Sequence, residues 1–347
     1  MERKATKIEG GDERSVVQVG SVRFGHDPFP VIAGPCAVES QEQIMDVARA
    51  VAEAGGSVLR GAAFKQGSSP YDFRGLGDEG LMMLNRAGRE FDLPTVSQVL
   101  EPSDVGAAAE MVDMLEIHSG SMQNFELLRV AGQSGKPVLL RRGPSATIDE
   151  WLWAAEYILA EDNPDVVLVE RGIRTFGGNS SDTLDISSIP AVRETSHLPV
   201  LVDPSHAAGG AAKVAPLALA AQGVGADGIV LEVHPSPADA KSNTSQLDLE
   251  ELAALMFRLG VNRMRSHIDL VDREIVRLLG KRQEMSLEIG RVKAARGLPI
   301  FAPERERELL DIICKEAEMV GIRPDHVEAL FHLVLAESRS IQELMRS

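Results

Sequence analysis

Eight short apolar runs recur along the first 260 residues and constrain the fold more than any other feature of the chain. Between them lie amphipathic stretches of helical spacing, such as EQIMDVARAVAEAG and TIDEWLWAAEYILA. Nearly continuous apolar strands that alternate with helices predict a parallel sheet covered on both faces. Eight such units in about 250 residues favour a (β/α)8 barrel over the alternative, a doubly wound open sheet. The runs are VIAG (31–34), SVLRG (57–61), PTVSQV (94–99), DMLEIH (113–118), PVLLRRG (137–143), VVLVERG (166–172), PVLVDPSH (199–206) and GIVLEVH (228–234).

Polar side chains collect at the carboxyl-terminal ends of these runs. In a barrel these ends meet at one rim, where barrel enzymes carry their catalytic groups. A lone polar residue at a strand end is usually a solvated terminus, but a set of this size predicts a functional rim. Its members are Cys36, Arg60, Lys65, Gln98, His118, Arg141, Arg142, Glu170, Arg171, Asp203, His206, Glu232 and His234.

The character of the chain changes near Val261. From there onward 15 Lys and Arg balance 15 Asp and Glu, so the net charge of −16 resides in the preceding 260 residues. Apolar spacings of three and four predict helices from Val261 to about Gly297, from Pro303 to about Val320, and from Pro324 to the end.

We therefore expect two domains: a barrel over residues 1–258 with a short hairpin in VVQVGSVRFG, and an all-helical domain over residues 259–347. The first predicted helix is too long to bury its apolar face within so small a helical unit. A homodimer with interlocked helices would cover that face.

Net charge and composition limit the kinds of molecule that the protein is expected to bind. A net charge of −16 argues against binding to nucleic acid or to an anionic membrane surface, and no apolar run is long enough to span a bilayer. The two cysteines, Cys36 and Cys314, form no disulfide framework, and the N-terminus has no apolar signal-peptide core. We expect a cytoplasmic protein that acts on small molecules.

The segment from Val261 to the end carries cations on its otherwise apolar helix face. An exposed, salt-bridged helix is the alternative interpretation. The segment resembles the all-helical chorismate mutase family through MRSHIDLVDREIVRLLGKRQEM, IGRVK, LPIFAPERERELL and FHLVLAESRSIQ. This resemblance implies the Claisen rearrangement of chorismate to prephenate, which needs neither a nucleophile nor a metal.

The same resemblance assigns roles to seven residues. Arg265, from the partner subunit, and Arg282 would bind the two substrate carboxylates. Lys293 and Gln342 would donate hydrogen bonds to the ether oxygen, on which negative charge develops. Glu306 would hold the ring hydroxyl, with Arg305 and Ser338 nearby. The family usually has an aspartate where this chain has Ala302, which implies weaker substrate binding.

The barrel, over about residues 16–258, resembles the type I beta branch of the 3-deoxy-arabino-heptulosonate 7-phosphate (DAHP) synthase family. The matching stretches are IAGPCAVES, RGAAFK, SPYDFRGLG, MQNFELL, ATIDEWLWAAEYIL, ERGIRTF, LPVLVDPSHA and ADGIVLEVHP. The family reaction joins phosphoenolpyruvate to erythrose 4-phosphate in the shikimate pathway of aromatic amino acid biosynthesis. Fusion of such a barrel to a chorismate mutase is a known arrangement in this family, and the chain would be bifunctional if its barrel is active.

The resemblance also implies a divalent metal, Mn²⁺ or similar, that polarises the aldehyde. Its ligands would be Cys36, His206, Glu232 and Asn243, with Asn243 in place of the usual aspartate and Asp239 as a substitute. Among the substrate-binding residues, Arg60 would face the phosphoenolpyruvate carboxylate and Lys65 is the catalytic lysine. Arg141 stands where a lysine is usual, and Arg171 would bind phosphate.

Several phosphate-binding arginines of the family are missing. Gly67 in KQGSSP stands where an arginine clamps the aldehyde phosphate, and Gly120 in IHSG replaces a phosphoenolpyruvate phosphate ligand beside a new residue, His118. Ser181, Gly210 and Ala211 also replace common basic residues. We expect a chorismate mutase whose barrel is impaired or regulatory. A working DAHP synthase and a synthase for a different acceptor, for example an unphosphorylated one, are the alternatives.

Overall fold

The computed structural model describes residues 3–6, 14–67, 69–176, 182–241 and 245–344, without the side chains of 261–270 and 344. The chain divides into two compact units, Met1–Met264 and Arg265–Ser347.

The first unit contains a closed barrel of eight parallel strands, as the spacing of the apolar runs predicted. An antiparallel hairpin, β1 (Val17–Val19) and β2 (Val22–Phe24), precedes it. Because the last barrel strand pairs with the first, the open-sheet alternative is wrong. In barrel order the strands are β3 (Val31–Gly34), β4 (Val58–Arg60), β5 (Thr95–Val99), β6 (Met114–Ile117), β7 (Val138–Arg141), β8 (Val166–Glu170), β11 (Val200–Val202) and β12 (Ile229–Glu232).

Helices follow the strands and cover the outside of the barrel. Side-chain caps fix several of their starts: the Ser40 hydroxyl accepts from Gln43 N–H, and Thr147 and Glu150 form a capping box. A short hairpin, β9 (Ile173–Arg174) with β10 (Asp182–Thr183), was not predicted. The helices are α1 (Gln41–Glu53), α2 (Asp78–Glu90), α3 (Asp104–Met111), α4 (Phe125–Gln133), α5 (Ile148–Leu159), α6 (Ser188–Thr195), α7 (Pro204–Ala208) and α8 (Val214–Gly223).

The apolar core has two layers. The larger one lies between strands and helices and includes the fully buried Trp151. The smaller one fills the barrel interior and continues into Val17, Val19 and Phe24 of the β1–β2 hairpin. The hairpin therefore closes one end of the barrel with apolar side chains. The polar residues at the carboxyl-terminal ends of the strands lie at the opposite end.

Three helices form the rest of the chain: α9 (Leu249–Arg296), α10 (Pro303–Met319) and α11 (Pro324–Leu344). The first begins at Leu249 rather than near Val261, because residues 249–261 contain no proline and carry apolar residues at helical spacing. Large apolar side chains of α9 are exposed, among them Val271 at 59% and Met285 at 57%. No helix in the described part of the chain is long and apolar enough to cross a membrane.

Candidate active site

Two layers of side chains face the barrel axis. The first is apolar. The second, two residues later on each strand, is polar except for one glycine. The apolar layer is Ile32, Val58, Val96, Met114, Leu139, Val169, Leu201 and Val230. Side chains alternate along a strand, so the residue two positions further on faces the same way. Those residues, which we call the polar ring, are Gly34, Arg60, Gln98, Glu116, Arg141, Arg171, Asp203 and Glu232.

Glycine at the first position of the ring is a steric requirement. A Cβ atom on Gly34 would lie 1.9 Å from the carbonyl oxygen of Arg60. The two strands therefore approach each other closely where the ring begins.

Two buried arginines of the polar ring share one carboxylate. Glu116 Oε1 accepts from Arg141 Nε at 2.6 Å and from Arg60 Nη2 at 3.4 Å. Arg60 Nη1 also donates to Glu232 Oε1 at 2.6 Å, and Arg141 Nη1 donates to Asp203. All five residues are at most 2% exposed. The arrangement is a continuous chain of ion pairs at the carboxyl-terminal end of the barrel.

The arginines keep two of these carboxylates, Glu116 and Asp203, ionised. Burial would raise the pKa of Glu116, but Arg141 and Arg60 outweigh it and lower the pKa to about 2. Burial would likewise raise the pKa of Asp203, yet His206 and Arg141 hold that pKa well below its usual range. Glu116 and Asp203 are therefore ionised at neutral pH.

Three arginines of the polar ring retain buried donors without an acceptor among the described residues. They are Arg60 Nε, Arg141 Nη2 and Arg171 Nε. A buried donor that makes no hydrogen bond is costly, so native structures rarely keep one without a ligand or water. Three guanidinium groups around one rim supply the donors that a carboxylate or phosphate needs.

Two of the four predicted metal ligands lie side by side. His206 Nε2 is 3.8 Å from Glu232 Oε1, and His206 Nδ1 contacts Asp203 Oδ2 at 2.9 Å. A carboxylate on Nδ1 leaves Nε2 as the metal-binding nitrogen, an arrangement common at metal sites. Imidazole and carboxylate groups are suitable ligands for a divalent transition metal, and these two lie close enough to bind the same ion.

The remaining predicted ligands are Cys36 and Asn243, with Asp239 as a substitute. Cys36 is buried and lies close enough to Arg60 to contribute to the raised pKa of that group. Asn243 lies outside the described residues, and Asp239 is exposed in a 3-10 helix at Pro237–Asp239. Within the described ranges, no group of three His, Cys, Asp or Glu side chains is assembled to hold an ion.

The loops after β4 and β6 meet in a neutral cluster. His118 Nδ1 lies 3.0 Å from Gln66 Oε1 and accepts from Gly120 N–H at 3.1 Å. Burial, with Arg141 and His206 nearby, lowers the pKa of His118 to about 3, so the imidazole is neutral. This cluster of Gln66, His118 and Gly120 offers hydrogen bonds but no positive charge.

A side chain at either glycine in these loops would meet a neighbouring side chain. A Cβ on Gly120 would lie 2.5 Å from Gln66 Oε1, and a Cβ on Gly67 would lie 2.6 Å from Asp72 Cβ. At Gly120 the neighbouring atom is the end of a flexible glutamine that can shift, whereas at Gly67 it is the Cβ atom of Asp72, which is fixed to the backbone.

The other predicted barrel residues fall in different places. Arg171 belongs to the ring and donates to Asp182 at 2.7 Å, and Lys65 is partly buried in the loop after β4. Arg142 and Glu170, by contrast, do not join the functional rim. They face the helices because they alternate with inward residues, and Arg142 Nη1 donates to Glu170 at 2.8 Å and Asp185 at 2.9 Å.

The pKa values of His118 and Glu116 predict acid-sensitive stability. The unfolded chain protonates His118 near 6.5 and Glu116 near 4.5, whereas the fold resists protonation until about 3 and about 2. Because both pKa values are lowered, the stabilisation is present above the unfolded values and lost as pH falls towards the folded values. We expect the thermal midpoint to fall between pH 7 and pH 4, and to fall less in His118→Asn. His332→Asn, at an exposed histidine, is the control and should follow the wild type.

The helical unit brings together part of its predicted site. Arg282 on α9 donates to the Ser338 hydroxyl on α11, and Ser286 Oγ donates to Ser338 Oγ at 3.3 Å. One turn further along α11, Gln342 is 8% exposed and packs against Gly290 of α9. Its Oε1 is buried and has no hydrogen-bond partner among the described residues.

The other predicted residues of this site are more dispersed. Lys293 Nζ donates to the carbonyl oxygen of Ile300 at 2.7 Å, and Glu306 accepts from Arg339 at 2.5 Å. Arg305 is exposed, and its ion pair within the described residues is with Glu308 at 3.2 Å rather than with a residue of the Arg282–Ser338 pair. The side chain of Arg265 lies outside what is described.

Comparison with known proteins assigns both units. Residues 7–262 match the DAHP synthetase I family, which covers most of the chain. The chain belongs to the DAHP synthetase I family. Residues 264–343 match chorismate mutase type II, so a second enzyme domain follows the DAHP synthetase domain.

Relatives and solved structures agree with this assignment. The phospho-2-dehydro-3-deoxyheptonate aldolase of Thermotoga maritima is 47% identical over 248 residues, 71% of this chain and 73% of the relative. The 2-dehydro-3-deoxyphosphooctonate aldolase of Nitrobacter hamburgensis is 33% identical, over 70% of this chain and 91% of the relative. A crystal structure of the Thermotoga maritima DAHP synthase superposes with a TM-score of 0.71 at 43% identity, covering 74% of this chain and 75% of that one.

In this DAHP synthetase domain, sequence reasoning missed Glu116. Glu116 lies inside the run DMLEIH, whereas the predicted site residues were taken from the ends of the runs. The signal that finds it is the inward alternation of β6, since Met114 is in the interior layer and Glu116 follows two residues later. The same alternation would have excluded Arg142 and Glu170.

Proposed function

We propose that the chain is bifunctional: the barrel condenses phosphoenolpyruvate with an aldehyde, and the helical unit rearranges chorismate to prephenate. The observation that carries the barrel half is the set of buried, unpartnered donors on Arg60, Arg141 and Arg171. A carboxylate and a phosphate on one small ligand would satisfy all three. The assignment to the DAHP synthetase I family supports the same donor substrate.

The proposed condensation is balanced as follows. Carbon 3 of phosphoenolpyruvate bonds to the aldehyde carbon, the aldehyde oxygen takes up a proton, water adds at carbon 2, and inorganic phosphate leaves. Arg60 binds the donor carboxylate, Arg171 binds its phosphate, and Arg141 lies between them in barrel order. We assign Lys65 to proton transfer at the aldehyde oxygen.

A divalent metal is the proposed cofactor of the barrel. Cys36, His206 and Glu232 would hold it, with Asn243 as the fourth ligand proposed from the sequence. When bound, such an ion polarises the aldehyde carbonyl. The contact between His206 and Asp203 supports this proposal, since it directs Nε2 of the imidazole towards Glu232.

For the mutase, the Arg282–Ser338 pair supports the proposed substrate site. It joins α9 to α11, and Gln342 lies one turn away on α11. Arg282 would bind a carboxylate of chorismate, while Lys293 and Gln342 would stabilise the negative charge on the breaking ether bond. Glu306, with Arg305 nearby, would hold the ring hydroxyl. No cofactor is proposed for this half.

A homodimer through the helical unit is part of the proposal. Exposed apolar side chains on α9, including Val271, Ile275 and Ile289, support a second copy as the covering surface. Arg265 of the second copy would then complete the site. Ile275→Glu should reduce the mass measured by light scattering and the rate of prephenate formation. Arg277→Ala, which removes only an exposed ion pair with Glu274, should change neither.

A different acceptor is the second candidate for the barrel. The neutral cluster of Gln66, His118 and Gly120 favours it, because hydroxyl groups can bind such a surface while a phosphate gains no charge pairing there. The curated relatives are named for heptonate and octonate products, so the names themselves span more than one chain length. An unphosphorylated aldose is the acceptor this cluster would prefer.

Assays of the full-length protein test the two halves separately. Prephenate formation from chorismate tests the mutase. Phosphoenolpyruvate consumption with Mn²⁺ and either erythrose 4-phosphate or erythrose tests the barrel and its acceptor. Prephenate formation without phosphoenolpyruvate consumption, whichever aldehyde is supplied, would instead support the hypothesis of an impaired or regulatory barrel. That hypothesis stays a prediction, as does a cytoplasmic location.

A further inference from the structure

Gln98 is a buried carboxamide to which the proposed reaction has so far given no role. It lies on β5 and is 4% exposed, and its Nε2 makes no hydrogen bond to any described residue. Other buried glutamines of the barrel are bonded. Gln43, for example, is 7% exposed, donates to the Ala37 carbonyl oxygen at 3.0 Å and accepts from Glu39 N–H at 3.1 Å.

The position of Gln98 places its side chain in the polar ring. Val96 lies in the barrel interior, so Gln98, two residues later, faces the same way. In the sheet it is directly opposite Glu116 of β6, the carboxylate that binds Arg60 and Arg141. Strand β4, which ends in Arg60, is the neighbour on the other side.

Four members of the polar ring therefore carry an unpartnered buried donor: Arg60, Gln98, Arg141 and Arg171. The three arginines are accounted for by an anionic donor substrate, and the fourth donor is on the strand next to Arg60. A neutral NH2 group adds a hydrogen bond to a ligand oxygen without adding charge. Among the described residues, this NH2 group has no hydrogen-bond acceptor that would offset the cost of its burial.

We propose that Gln98 is a substrate-binding residue that donates a hydrogen bond from Nε2 to the carboxylate of the enolpyruvate donor, beside Arg60. This inference rests on the proposed condensation and extends it to a residue on β5. The hydrogen bond from Gln98 would fix the orientation of the carboxylate, because a hydrogen bond is directional. The arginines would supply the positive charge.

Calorimetric titration of the full-length protein with phosphoenolpyruvate in the presence of Mn²⁺, without aldehyde, tests this role. Gln98→Leu keeps the size of the side chain and removes the donor. We expect its Kd for phosphoenolpyruvate to rise by about tenfold or more, the loss typical of a hydrogen bond to a charged group. Its thermal midpoint should equal or exceed that of the wild type, because a buried unpaired donor has been removed. Gln98→Glu should raise the Kd further, because it places a second carboxylate opposite Glu116.

The matched control is Gln43→Leu, which removes a buried glutamine that is bonded. It should lower the thermal midpoint and leave the Kd unchanged. The inference is overturned if Gln98→Leu lowers the thermal midpoint while binding phosphoenolpyruvate as tightly as the wild type. If the wild type itself binds no phosphoenolpyruvate, the donor substrate of the proposed function is wrong and the inference falls with it.

Discussion

Replacement of Lys293 by methionine is expected to lower the turnover number for chorismate by about 100- to 1000-fold, the usual loss when one donor to a developing oxyanion is removed. Lys293 is near the end of α9, and its ammonium group donates to the Ile300 carbonyl oxygen at 2.7 Å. This contact holds the charged group near the turn that leads to α10. A substrate ether oxygen that gains negative charge would compete for the same donor only as the bond breaks. The effect should therefore fall on turnover more than on substrate binding.

Methionine suits this test because it is unbranched and close to lysine in length. The stability cost is the single bond to Ile300, about 1 kcal/mol for a hydrogen bond of this kind. Lys281→Met, at an exposed position of the same helix, is the control and should rearrange chorismate at the wild-type rate. Wild-type turnover by Lys293→Met would remove this lysine from the mechanism. Phosphoenolpyruvate consumption should be the same in all three proteins.

Replacement of Arg60 by lysine is expected to reduce kcat/KM for phosphoenolpyruvate by about 100-fold, since it removes charge-assisted hydrogen bonds worth about 1.5–3 kcal/mol. The guanidinium contacts Glu232 at 2.6 Å and Glu116 at 3.4 Å and still has Nε unpartnered. An ammonium group cannot reproduce that fork. Lysine retains the positive charge, so the two buried carboxylates stay compensated and the variant should fold.

Arg142→Lys is the control for Arg60→Lys. Arg142 is also a buried arginine at a strand end, but its contacts are Glu170 and Asp185 on the helix-facing side of the barrel. We expect Arg142→Lys to lower the thermal midpoint without raising the KM for phosphoenolpyruvate. The assignment of the donor site fails if the KM rises in Arg142→Lys and stays unchanged in Arg60→Lys.

The fold was predictable because its strands are nearly continuous apolar runs. Each of the eight runs contains one barrel strand, and the hairpin in VVQVGSVRFG is present as β1 and β2. Helix ends marked by proline were also correct, as at Pro303 and Pro324. The predicted start of α9 was wrong because Gly260 weakens a helix without ending it and no proline lies between Leu249 and Val261.

The site was harder to predict than the fold. Strand ends identified Arg60, Arg141, Arg171, His206 and Glu232 as rim residues, but proximity to a strand end does not say which way a side chain faces. Direction separates Arg141, in the polar ring, from Arg142, which faces the helices. The link between Glu116 and the two arginines depends on which strands are neighbours, and no run of sequence contains that information.

The two parts of the barrel site rest on different kinds of backbone. The polar ring lies at or next to the ends of hydrogen-bonded strands, whereas Gln66, His118 and Gly120 lie in the loops that follow β4 and β6. Loops accept insertions and replacements far more readily than strands do. Under the proposed function, mutations in two short connections would change the choice of aldehyde, while the groups proposed to bind the enolpyruvate stay fixed by the strands of the barrel.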